Sequence, residues 1–141
     1  MFFGEFEYRI DDKGRMPIPP RFRCELKEGV VLAQGIEKCV TAYPPSEWKQ
    51  IATTLTSGSL TPSKMRRLSR AIFATAFSTN LDGQGRVALP LPLREYAGIT
   101  NEVVIIGANT YLELWNKEHW EEEKAISREQ AWQIIESLER H

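Results

Sequence analysis

Between Phe6 and Ile10 apolar side chains alternate with charged ones, the period of a strand with one buried face. This pattern predicts a strand over Phe2 to Ile10, ended by the polar turn Asp11-Asp12-Lys13-Gly14. Arg15 to Ile18 reads as a second short strand, kept short by Pro17, Pro19 and Pro20, which suit the start of a helical turn over Arg21 to Leu26. Val30 to Ala33 and Cys39 to Tyr43 read as a strand pair with Gly35 in the connection. The same order then recurs. Phe77 to Leu81, Val87 to Leu89, Val103 to Ile106 and Tyr111 to Trp115 read as strands, with a helical turn from Leu91 to Ala97 closed by Gly98.

Two helices are expected besides. Thr61-Pro62 is an N-cap and first-turn pair, and Met65, Leu68, Ile72, Phe73 and Ala76 then share one face at helical spacing. Ser127 with Gln130 has capping-box spacing and precedes an apolar stripe of Trp132, Ile135 and Leu138. Such stripes serve a core or an oligomer interface.

The recurrence is a duplication. Asp11, Gly14, Arg15, Pro19 and Arg23 match Asp82, Gly85, Arg86, Pro90 and Arg94, and every pair is separated by 71 positions. Val30-Val31-Leu32 matches Val103-Val104-Ile105, Gly35 matches Gly107, and Tyr43 and Trp48 match Trp115 and Trp120. Each copy is small for an independent domain, so the two are expected to complete one another's core as a pseudo-dimer. The expected organisation is a first unit over 1–60, a connecting helix over 61–76, and a second unit with its C-terminal helix over 77–141.

Composition adds limits. The chain has 141 residues, 42% hydrophobic and 26% charged, as in an ordinary globular protein. Its net charge of −1 hides a basic start, where Arg9, Lys13, Arg15, Arg21, Arg23 and Lys27 outnumber their acidic neighbours, and a glutamate-rich end. Cys24 and Cys39 lack CxxC spacing and read as apolar core residues in a reducing compartment. Neither a signal peptide nor an apolar run long enough to span a bilayer is present, so a cytosolic location is expected. His119 and His141 lie far apart, and no GxSxG, HExxH, Walker A or CxxC pattern nominates a nucleophile, base or metal site, so no enzyme is expected. Gly83-Gln84-Gly85 is too short for a nucleotide loop.

The residue chemistry of Arg15 and Arg86 fits two readings, a turn arginine in a surface salt bridge and a DNA contact. An arginine directly after a glycine at a tight turn projects from a backbone that can approach phosphate, and arginine pairs bidentately with guanine O6 and N7. Lys13 would flank Arg15 as a phosphate or base donor, and Gln84 would flank Arg86 as an amide reader. Asp11 and Asp82 are expected to accept turn hydrogen bonds. Arg23 and Arg94 fit either a DNA role or a structural one. Lys64, Arg66, Arg67 and Arg70 fit either phosphate contact or a solvated helix face.

These motifs resemble the MraZ family. The opening Met1-Phe2-Phe3-Gly4, the doubled Asp-x-x-Gly-Arg turns with their following prolines and arginines, and the matched aromatic positions carry the likeness across essentially the whole chain. Gly83 makes the second turn richer in glycine than the first. The resemblance implies an α+β fold of two swapped-hairpin, AbrB-like β-barrel units in one chain, with flanking helices. It further implies a DNA-binding transcriptional regulator that binds tandem repeats in the promoter of its own division and cell-wall operon. The implied partners are double-stranded DNA and further copies of the chain in a homo-oligomeric ring, in the cytoplasm at the nucleoid, with no cofactor, metal or membrane. The DNA-contacting residues would be Lys13, Gly14 and Arg15 with Gln84, Gly85 and Arg86. The competing expectation is an AbrB-like protein-interaction or antitoxin module. That role calls for a disordered wrapping tail, whereas the C-terminal pattern predicts a folded helix.

Overall fold

Alternation along β1 (Glu5–Arg9) turns Phe6 and Tyr8 inward and leaves Glu5, Glu7 and Arg9 exposed, so the strand is built to lie on a core by one face. Its partner is not the neighbouring β2 (Arg15–Pro17) but β7 (Glu102–Gly107) in the second copy, with Phe6 opposite Ile105 and Tyr8 opposite Val103. The equivalent pairing joins β5 (Phe77–Thr79) of the second copy to β3 (Val30–Gln34) of the first, with Phe77 opposite Leu32. The copies therefore exchange their leading strands. The computed structural model that establishes this describes residues 1–139, and His141 lies outside the described residues.

With β4 (Val40–Tyr43) and β8 (Leu112–Trp115) the strands form a six-stranded antiparallel sheet in the order β1-β7-β8-β4-β3-β5. The two halves of that order exchange when the copies are swapped. At its centre Thr41 faces its counterpart Glu113, and Val40 and Ala42 face Leu114 and Leu112. β2 pairs with β6 (Arg86–Ala88) as a separate two-stranded sheet, where Met16 faces its counterpart Val87. The fold is α+β with an antiparallel sheet, and no closed barrel is found among the described residues.

Residues from both copies fill one buried cluster, among them Met16, Ile18, Phe22 and Leu32 with their counterparts Val87, Leu89, Leu93 and Ile105. Each copy alone would leave its half of this apolar surface in water, which disfavours folding in isolation. Phe2 and Phe6 meet Phe22 edge to face, closing the first copy's side.

Four helices flank the sheets. α1 (Pro45–Thr56) lies over β3 and β4, α2 (Pro62–Ile72) lines a cleft together with it, and α3 (Leu91–Ala97) ends at Gly98 as the sequence indicates. α1 is absent from the sequence expectations because its only apolar side chains, Trp48, Ile51 and Leu55 among small and polar ones, make a narrow stripe. Thr61 caps α2 by accepting from the Lys64 N–H, as its pattern indicates, although the helix stops at Ile72, short of Phe73 and Ala76.

α4 differs from expectation. It runs unbroken over Lys117–Glu139, and its N-terminal cap is Asn116, whose Oδ1 accepts from the His119 N–H. Ser127 lies within the helix and donates to Glu123 Oε1 one turn back, so its capping-box spacing with Gln130 marks no helix start. The first expected helical turn is only a 3-10 segment, Pro20–Phe22. Cys39 is buried as expected, but Cys24 is exposed, since it follows that turn on its outer side.

Candidate nucleic-acid interface

Each Gly-Arg turn is organised by its aspartate. Asp11 Oδ1 accepts from the Lys13 and Arg15 backbone N–H groups, and its Oδ2 accepts from Arg15 Nε at 2.8 Å. Asp82 repeats the arrangement with Gln84 and Arg86, again with Nε at 2.8 Å. Gly14 and Gly85 close the turns at φ of +77° and +74°, a region unfavourable to residues with a side chain. The hydrogen bond from the Arg15 backbone holds the Asp11 carboxyl below the usual carboxylate range, and that from Arg86 does the same for Asp82. Both carboxylates are therefore charged at neutral pH, as their turn-holding role requires.

The two turns are locked together. The Ile18 N–H donates to the Gly85 carbonyl and the Leu89 N–H to the Gly14 carbonyl, so each turn is fastened by the strand exit of the other copy. Arg86 Nη1 also reaches Asp11 Oδ2 at 4.0 Å, the oxygen that already accepts from Arg15. The two guanidinium groups thus converge on one carboxylate. The two turns, expected from the sequence as equivalent positions, therefore lie side by side where the copies meet.

Arg23 and Arg94 have a structural place. Their Nε groups donate at 3.0 Å to the carbonyls of Ile18 and Leu89. Each guanidinium crosses to the opposite turn. A Cβ on Gly85 would collide with Arg23 Nε, and one on Gly14 would lie 3.0 Å from Arg94 Cζ. These arginines seal the glycines from behind.

What is left free defines the chemistry. With Nε engaged, Arg15 keeps both terminal Nη groups, the end that grips guanine or phosphate in a bidentate way, whereas Arg86 has its Nη1 in the long ion pair with Asp11 and keeps Nη2. Their side chains are 33% and 27% exposed. Lys13 and Gln84 stand exposed at the turn tips, while Gly14 and Gly85 are buried and can offer only backbone. Not all of the basic start joins this patch, because Arg21 lies over the rings of Phe3, Phe6 and Phe22.

One further cluster escaped the sequence expectations. Glu37, Cys39 and Glu113 place donor atoms within 4.8 Å of one another on the outer face of the sheet. Burial pushes the Cys39 thiol and the Glu113 carboxyl upward, and Trp115 Nε1 donates to Glu113 at 3.2 Å. Only pairing across the dyad-like centre of the sheet brings Glu113 to residues over seventy positions away, which no spacing rule could anticipate.

Comparison with known proteins agrees with the duplication. The family model described as "MraZ protein, putative antitoxin-like" matches twice, over residues 1–71 and 72–137. Proteins named transcriptional regulator MraZ from two strains of Dehalococcoides mccartyi are 61% and 59% identical, covering 100% and 99% of this chain and of their own lengths. One from Herpetosiphon aurantiacus is 41% identical over 86% of this chain and 85% of its own. The chain belongs to the MraZ family.

Proposed function

We propose that this chain regulates transcription by binding DNA through the joined patch of Arg15 and Arg86, with Lys13 and Gln84 at its flanks. The observation that carries this reading is the convergence of two guanidinium groups whose Nε atoms are held by aspartates, with both Nη groups of Arg15 and Nη2 of Arg86 unengaged in ion pairs among the described residues. Held arginines lose little side-chain freedom on contact, which favours sequence reading over loose attraction. Gly14 and Gly85 give the turns their tight shape, with their own N–H and C=O groups paired inside the fold, and Lys13 adds a mobile cation. In this reading the two copies act as a pseudo-dimer of swapped AbrB-like units, organised as 1–60, 61–76 and 77–141.

The relatives' names support a transcriptional role, and the targets proposed here are short tandem repeats upstream of the chain's own division and cell-wall operon. Several chains assembled in a ring would engage several repeats, so that weak single contacts sum through effective concentration. A gel-shift assay with that upstream DNA tests the reading. Arg15→Ala is expected to weaken binding roughly 10- to 100-fold, the loss of one bidentate base contact. Unchanged retention by Arg15→Ala would exclude the patch as the reader.

A further inference from the structure

The outer face of the sheet carries a roofed cleft. α1 and α2 contain no fully buried residue, and between them and the sheet opens a cavity of about 410 Å³. Trp48, Ile51 and Leu55 of α1 and Leu68 and Ile72 of α2 form its roof, all of them half-buried. The floor comes from both copies, with Thr41 and Tyr43 on β4 beside Glu113 on β8 and Tyr111 just before it. Glu37 stands at one end, in the hairpin between β3 and β4. The rings of Tyr111, Tyr43 and Trp48 make a continuous aromatic wall, with successive centroids 5.2 and 5.5 Å apart. A cavity of this size, mostly apolar with a few polar groups gathered at one place, has the make-up of a small-molecule site.

Those polar groups share one sign. No residue lining the cleft is a cation, and Lys64, Arg66, Arg67 and Arg70 of α2 are exposed outside it. Glu113 is half-buried and has no ion pair among the described residues. A carboxylate oxygen of Glu113 and one of Glu37 lie within 4.8 Å of each other, so a single cation reaches both. The sheet itself does not require this charge. At the counterpart position Thr41 is buried and neutral, and its hydroxyl donates to the Ala33 carbonyl inside the fold. Glu113 accepts from Trp115 Nε1 on one oxygen and meets only the Cys39 thiol, at 3.8 Å, on the other. A desolvated carboxylate without a cation costs stability, and an incoming cation removes that cost.

We infer that this cleft binds a small organic cation, an ammonium group carried on an aromatic or aliphatic body. The ammonium sits between Glu113 and Glu37, and the body lies against Tyr43, Trp48 and the aliphatic side chains of the roof. The aromatic wall beside the charge adds cation–π attraction. A metal ion suits the place less well. It would leave the apolar cavity unfilled, and its third donor would be Cys39, whose thiol burial keeps protonated. The Gly-Arg turns lead into the separate two-stranded sheet, so this site is distinct from the DNA patch and does not depend on that reading.

Calorimetric titration of the full-length chain with phenethylammonium tests the inference, with phenethyl alcohol as the neutral analogue of similar shape. The ammonium is expected to bind, and the alcohol to bind roughly 10- to 100-fold more weakly, the loss of one charged hydrogen bond. Glu113→Gln keeps the shape of the floor and is expected to bring the ammonium down to the level of the alcohol. In heteronuclear NMR spectra the Trp48 indole signal, identified by its loss in Trp48→Phe, is expected to shift as the ammonium is added. No binding of the ammonium at millimolar concentration would overturn the inference, and equal affinity for the alcohol would overturn the assignment of charge. Wild-type affinity in Glu113→Gln, or binding that leaves the Trp48 signal unmoved, would overturn the site. If Glu113→Gln unfolds, the Trp48 signal and the comparison with the alcohol decide on the wild-type chain alone. Zinc chloride that binds more tightly than the ammonium, and no longer binds in Cys39→Ser, would overturn the organic cation in favour of a metal ion.

Discussion

At the scale of single residues, the Gly-Arg turns combine backbone strain with guanidinium packing. Gly85 sits at positive φ with Arg23 folded against it, so a methyl group there meets both obstacles. Gly85→Ala is expected to cost more than about 1 kcal/mol, read as a fall of at least roughly 2–4 °C in Tm for a chain of this length. A melting curve superimposable on wild type would contradict the packing. Much of this site was legible in the sequence. The Asp-x-x-Gly-Arg spacing announced both the tight turn and the aspartate that holds it, since a short acceptor beside a glycine has few other uses. The place of Arg23 and Arg94 was not legible, because their partner glycines belong to the opposite copy.

At the scale of elements, the centre of the sheet places Glu113 opposite Thr41, where its carboxyl accepts from Trp115 but meets no cation among the described residues. Desolvation raises its pKa above the ordinary 4.5, so the fold favours the protonated form. The stabilising contribution is therefore complete below the unfolded value and lost as pH rises through the folded one. Glu113→Gln is expected to raise Tm at neutral pH and to leave it nearly unchanged below the ordinary carboxyl range. Thermal melts over that interval check the direction, and an equal gain at both ends would contradict it. Strand existence and order were readable from alternation and turns, with bounds shifted by a few residues. Alternation specifies which face is buried and not which strand lies alongside, so the pairing of β1 with β7 was open. α4 was misjudged at its start because Ser127 and Gln130 have capping spacing within a helix that Asn116 already caps.

At the scale of the whole molecule, the exchange of β1 and β5 puts the two copies in one sheet and one core, which predicts that they fold as one cooperative unit. Residues 1–71 produced alone lack β7 as a partner for β1 and half of the shared core, so they are expected to show little ordered signal by circular dichroism. Adding the complementary half, 72–141, is expected to restore it. A half that melts cooperatively alone would show that the exchange is not needed for folding. The duplication in sequence pointed to this interdependence, because a unit of half the length buries too little apolar surface.

The same interdependence underlies the DNA proposal, in which the second copy reads as well as folds. Fluorescence anisotropy with Arg86→Ala, titrated onto labelled upstream DNA at several salt concentrations, addresses that most directly. The expected result is an affinity lower by roughly 10- to 100-fold for the upstream sequence, with little change toward scrambled DNA and the salt slope altered by no more than about one phosphate contact. Wild-type affinity and specificity in Arg86→Ala would contradict it, leaving Arg15 as the reader and the second turn as its support.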